Sequence, residues 1–168
     1  MRISLLLFSL LFVLAGVAHA YSQPKPGNMT TVGEATLKVF WFEIYDARLD
    51  SLTGQYSQAD QPMSLELTYK RDISRKDLLD ETAKQWRRQG ISADQFTPWL
   101  ALLTDIWPDI RKQDSLMFYQ DDQNNGHFYL NDRFIGSVNE PGFSQAFLAI
   151  WLSENSAFPE LSRSLRGE

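Results

Sequence analysis

The 168-residue chain contains no cysteine. That excludes disulfides, thiolate metal sites, thiol nucleophiles and an acylated N-terminal cysteine. Histidine is nearly as scarce: His19 lies in a segment that reads as removable, which leaves His127 alone in the remainder. A histidine-rich metal site is thereby excluded, and a Ser-His-Asp triad would have to be built around His127. Basic residues are outnumbered, with 16 Lys and Arg against 21 Asp and Glu for a formal net charge of −5. The acidic balance argues against nucleic acid, or an anionic membrane surface, as the main partner. Repeats and low-complexity tracts are also missing, and no cofactor or metal motif appears. The run 121–126 (DDQNNG) has calcium-loop composition but lacks the twelfth-position glutamate and carries a hairpin signal at its end.

Only one long apolar run is present, and it is the first thing in the chain. Met1 and Arg2 supply a positive start, and residues 3–17 (ISLLLFSLLFVLAGV) an apolar core. Ala18-His19-Ala20 then places small residues where a signal peptidase reads them, so cleavage before Tyr21 is expected. An uncleaved span needs about 20 apolar residues, and this run is shorter. The expected destination is the periplasm of a Gram-negative bacterium. Loss of twenty residues from 168 leaves 148, the size of one ordinary domain, and loss of Arg2 takes the net charge from −5 to −6. Residues 21–31 (YSQPKPGNMTT) read as a loose leader, and residues 32–168 as the folded domain.

What is abundant is aromatic: 5 Trp, 6 Tyr and 11 Phe. Such rings bury large areas and serve first as core. Residues 32–50 are β-branched, aromatic and apolar, predicting one long bent strand or two strands. Residues 64–71 alternate, with Leu65, Leu67, Tyr69 and Arg71 on the inner face. Three helices are predicted. Ser74 caps the first, which stops at Gly90; the second carries Phe96, Trp99, Leu103 and Trp107, with Pro98 near its start and Pro108 ending it; the third opens near Pro141 and turns Phe143, Phe147, Ile150 and Trp151 inward. Short strands are predicted at 115–121, 127–131 and 133–138, with a strong hairpin signal at Asn125-Gly126 and a weaker one at Asn131-Asp132. The order of elements implies an α+β fold, an antiparallel β-sheet covered on one face by α-helices.

The segments VGEATLKVFWFEIYDARL (32–49), LELTYKRDISRKDLL (65–79), FYLNDRFIGSV (128–138) and FLAIWLSENSAFPELSRSLRG (147–167) resemble the bacterial, exported branch of the chalcone isomerase-like family. The resemblance spans nearly the whole domain and implies that family's open-faced sandwich, with a ligand cleft between sheet and helices. It also implies where catalytic groups would stand. The family's arginine, which meets a developing enolate or a fatty-acid carboxylate, falls on Ala35; its threonine falls on Phe40; the polar residue of its last helix falls on Ile150. All three are apolar here, so no catalytic residue carries over.

The remaining polar candidates are Tyr69 and Arg71, placed by alternation on the buried face, and Arg48. A guanidinium at the edge of an apolar cleft can hold a carboxylate or enolate through paired hydrogen bonds. The plainer alternative is structural pairing, of Arg71 with Asp72 or a helix acid, and of Arg48 with carboxylates on neighbouring strands. Glu34 and Glu43 read as solvated, and His127 as exposed beside its turn. The expected function is non-catalytic binding of a small apolar or amphipathic molecule, of fatty-acid or aromatic type. Alternatives are an isomerase or intramolecular lyase using Tyr69 and Arg71, and an envelope protein-protein interaction module.

Overall fold

The structure, a computed structural model, describes residues 26–57 and 62–168; the expected signal segment, residues 1–20, and the first part of the leader lie outside the described residues. Alternating and aromatic stretches form six strands: β1 (Thr30–Val39), β2 (Phe42–Ser51), β3 (Met63–Tyr69), β4 (Ser115–Gln120), β5 (Gly126–Leu130) and β6 (Arg133–Val138). They make one antiparallel meander in chain order. Residues 32–50 are two strands and not one, because Phe40 and Trp41 form a two-residue turn with Val39 opposite Phe42. β1 starts at Thr30, inside the expected leader, since Thr30 and Thr31 pair with Ser51 and Asp50.

The two faces of β1–β3 separate by side-chain character, as period-two geometry requires. Leu37, Tyr45, Ala47, Leu49, Leu65 and Leu67 are buried on one side, while Glu34, Thr36, Asp46, Arg48, Glu66 and Thr68 face the other. Four helices cover the inner face: α1 (Arg75–Arg88), α2 (Ala93–Ile106), α3 (Phe143–Leu152) and α4 (Pro159–Leu165). Ser74 caps α1 as expected, its hydroxyl oxygen accepting the Asp77 N–H. Pro98 lies beyond the first turn of α2, where it removes one backbone bond; burial of Phe96, Trp99 and Leu103 holds the helix regardless. No helix among the described residues is long and apolar enough to cross a membrane.

Two expectations need correction. A fourth helix, α4, was not anticipated, because seven residues are too few to display a hydrophobic period. The hairpin signals are also reversed in kind. Asn131 (φ 50°) and Asp132 (φ 64°) both adopt the left-handed region and make the two-residue turn between β5 and β6. Gly126 instead pairs within the sheet, opposite Gln120 and Val138. The β4–β5 connection spans 121–125, where the Asp121 carboxylate accepts the N–H groups of Gln123 (2.9 Å) and Asn125 (2.8 Å).

The core centres on an aromatic cluster between α3 and β4–β5. Phe147 stands 4.7 Å from Phe118 and 5.4 Å from Phe128, ring centre to ring centre. Trp99 and Trp107 are buried against it, as the helical spacing indicated.

Candidate ligand-binding cavity

The aromatic cluster fills the space under β4–β6, but the ground over β1–β3 is left open. There α1 packs on α2 and α3 instead of on the strands, tied by the Trp86 Nε1–H to the Ala146 carbonyl at 3.0 Å. The result is a cavity of about 840 Å3 between sheet and helices. That is within the ordinary range for small-molecule sites. Its walls are Leu37, Leu67, Leu116, Phe147, Ile150 and Phe158, with Tyr45, Tyr69, Trp107 and Trp151 among them. It reaches the surface beside the exposed side of α1, where Asp77, Asp80, Glu81, Lys84 and Arg88 border it.

Polar atoms inside are few, and the two phenolic O–H groups lack acceptors among the described residues. Tyr45 and Tyr69 are directly opposite on β2 and β3, and their rings meet edge to face at 5.6 Å. The Trp151 Nε1–H donates to the Tyr45 hydroxyl oxygen at 2.8 Å. With its oxygen engaged, the Tyr45 O–H is left to donate and has no acceptor among the described residues. The Tyr69 hydroxyl has no hydrogen-bond partner there at all. Trp107 Nε1 is likewise buried without a partner. Burial pushes both phenols upward, more than the Trp151 bond pulls Tyr45 back, so they stay protonated and each keeps an O–H to donate. Buried donors left without acceptors cost on the order of 1–3 kcal/mol each. A ligand oxygen placed between them would remove that cost.

Of the three residues expected at the site, only Tyr69 is in the wall. Arg71 is not: β3 ends at Tyr69 because the next residues leave the sheet to pair with the 110–114 segment, through an Ile73–Ile110 bridge and the Lys112 N–H to the Asp72 carboxylate at 2.7 Å. The alternation therefore stops before Arg71, which is exposed with its guanidinium carbon 5.7 Å from the Phe42 ring centre. Arg48 is on the opposite face of the sheet, where Nη2 donates to Glu66 at 2.7 Å and Nε to Asp50 at 3.1 Å. The plainer structural reading holds for it. Sequence reasoning missed Tyr45 and Trp151; strand alternation with Ala47 and Leu49 puts Tyr45 inward, but its meeting with Trp151 is decided by helix packing alone.

His127 also differs from expectation. It is buried, only 5% exposed, with Nε2 at 2.9 Å from Asp121 and Nδ1 at 2.7 Å from Ser137 Oγ. This Asp-His-Ser trio faces away from the cavity, opposite Phe128 and Gly136, and it ties the β4–β5 turn to β6. Burial works against the Asp121 carboxylate, yet hydrogen bonds from His127, Asn125 and Gln123 hold it below the usual range. Glu34 is solvated as expected, while Glu43 bridges Lys38 at 2.9 Å and Lys70 at 3.3 Å. Among the positions that the resemblance assigns, Ile150 is in the cavity wall, Ala35 packs against the core, and Phe40 is outside, at the tip of the β1–β2 hairpin.

Comparison with known proteins agrees with this geometry. A family model described as chalcone isomerase-like matches residues 27–167. An uncharacterised protein of Haemophilus influenzae is 26% identical over 168 residues, all of this chain and 79% of that protein. Among solved structures, a fatty-acid binding protein of Arabidopsis thaliana superposes with a TM-score of 0.61 at 11% identity, over 82% of this chain and 84% of that one.

Proposed function

Since the chain belongs to the chalcone isomerase-like family, we propose that it binds a small amphipathic molecule, of fatty-acid or aromatic type, in the cavity over β1–β3 without turning it over. The observation that carries this reading is the pairing of an apolar chamber of about 840 Å3 with phenolic donors that have no acceptor. A ligand with a carbonyl or carboxyl oxygen at one end and hydrocarbon along the rest fits both features. The likeness to a solved fatty-acid binding protein supports the same class of ligand. The isomerase route that the family resemblance implies sets an arginine at the developing oxyanion, and Ala35 stands at that position here. Arg71 is outside the cavity, and Lys84 and Arg88 belong to the exposed side of α1. The first twenty residues support export to the periplasm as the place of action.

Native mass spectrometry of protein recovered from the periplasmic fraction tests both parts. The expected result is a chain beginning at Tyr21 that carries a co-purifying amphipathic molecule. Tyr69→Phe removes one donor and should weaken binding of that molecule, or of a long-chain fatty acid used as probe, by roughly tenfold. A protein that is always empty, or a Tyr69→Phe variant that binds the probe as tightly as the parent, overturns the reading.

A further inference from the structure

The β1–β2 hairpin ends in three consecutive aromatic residues that the fold leaves bare. Phe40 is 87% exposed, Trp41 80% and Phe42 53%, with Val39 beside them at 39%. Neighbouring rings touch, at 5.9 Å for Phe40–Trp41 and 5.8 Å for Trp41–Phe42, so the three make one continuous apolar edge. Phe40 holds φ at +57° in this turn, a conformation that disfavours any residue with a Cβ and suits glycine. The position therefore keeps a large ring at the expense of stability, in a place where that ring meets its neighbour Trp41 but is not packed into the core. A cation stands by the tip: Arg71 lies over the Phe42 ring, and its side chain forms no ion pair among the described residues.

We infer that this hairpin tip is a docking wedge for the headgroup layer of a phospholipid bilayer. A projecting turn of Phe and Trp is the shape and composition that enters the membrane interface, where aromatic rings settle at headgroup depth. The unpaired Arg71 guanidinium beside it matches the phosphate carried by every phospholipid headgroup, zwitterionic ones included. The chain's net negative charge opposes electrostatic adsorption to an anionic surface but leaves insertion of an apolar edge intact. The same hairpin forms one end of the cavity, through Val39 and Ile44. Docking by the tip therefore sets that end of the cavity against the lipid. The inference rests on the hairpin and stands whether or not the cavity carries a ligand.

The molecule contains its own reporter, because Trp86, Trp99, Trp107 and Trp151 are buried and Trp41 is exposed. Protein isolated from cells expressing the full chain is mixed with phosphatidylcholine vesicles, with and without brominated acyl chains. The acrylamide-accessible emission, that of Trp41, should shift to the blue, lose its accessibility to acrylamide and be quenched by the brominated lipid. Phe40→Gly, which keeps Trp41 and suits the turn, should weaken vesicle binding by roughly tenfold or more. Trp41 emission unchanged by saturating vesicles overturns the inference, as does Phe40→Gly binding like the parent. Shielding of Trp41 by rising protein concentration without lipid would assign the tip to a second copy instead, and shielding by envelope protein extract but not by lipid would assign it to a protein partner.

Discussion

Single residues carry two conflicts between stability and use. At Phe40, glycine relieves the left-handed backbone at little packing loss, since the ring is 87% exposed and touches the neighbouring Trp41 ring. Phe40→Gly should therefore stabilise the protein by about 1 kcal/mol, read as a higher urea midpoint; an unchanged or lower midpoint would mean that the turn tolerates the ring freely. Tyr69 shows the same opposition inside the molecule. Its hydroxyl belongs to the cavity lining and has no partner among the described residues, so Tyr69→Phe should leave the empty protein equally or more stable while it weakens ligand binding. Both positions were visible in the sequence as aromatic, but their environments were not. Tyr69 was placed on the buried face by alternation with Leu65 and Leu67. Phe40 looked like strand interior, because β-branched and aromatic neighbours on both sides hid a turn that contains no glycine, asparagine or aspartate.

At the scale of elements, the least legible piece is α4, and one glycine shows what seats it. A Cβ on Gly33 would come 2.0 Å from the Ser164 carbonyl oxygen and 2.7 Å from that of Leu165, so backbone meets backbone where α4 crosses β1. Neither partner is a flexible side chain that could turn away. Gly33→Ala should push α4 off the strand and destabilise the protein by about 3 kcal/mol, measurable by urea unfolding. A loss of only a few tenths would show that α4 is a detachable cover. Longer elements were legible: α1 from its Ser74 cap to Gly90, α2 and α3 from three- and four-residue aromatic steps. The end of β3 was not, since Arg71 continues the alternation in sequence and leaves it only because Asp72 and Ile73 find partners in the distant 110–114 segment.

For the whole molecule, buried phenols fix the sign of the alkaline response. Burial raises Tyr45 and Tyr69 above the ordinary value of 10.0, and pushes Tyr129 up to about 12. Above pH 10 the unfolded chain releases protons that the folded chain retains, so the unfolded state binds fewer protons and stability falls with rising pH. The contribution is fully present below about pH 10 and is lost as pH climbs beyond it. Urea midpoints should therefore drop between roughly pH 9 and pH 11, and less steeply in Tyr69→Phe than in the parent. An equal drop in both would mean that the Tyr69 hydroxyl is solvated in the folded state.

The order of the strand segments and of α1 to α3, though not α4, followed from the amino-acid sequence alone, because period-two and period-3.6 burial are properties of local chain geometry and appear wherever one face must leave water. The same reading excluded thiol and histidine-cluster chemistry outright, by composition. Tertiary structure decided everything that depends on which faces meet. It brought Tyr45, Tyr69 and Trp151 together from β2, β3 and α3, sent Arg48 and Arg71 out of the cavity, and buried His127 between Asp121 and Ser137. Distances between side chains far apart in the chain are set by packing and not by local propensity. For that reason the cavity's existence, and the identity of the donors inside it, became readable only in three dimensions.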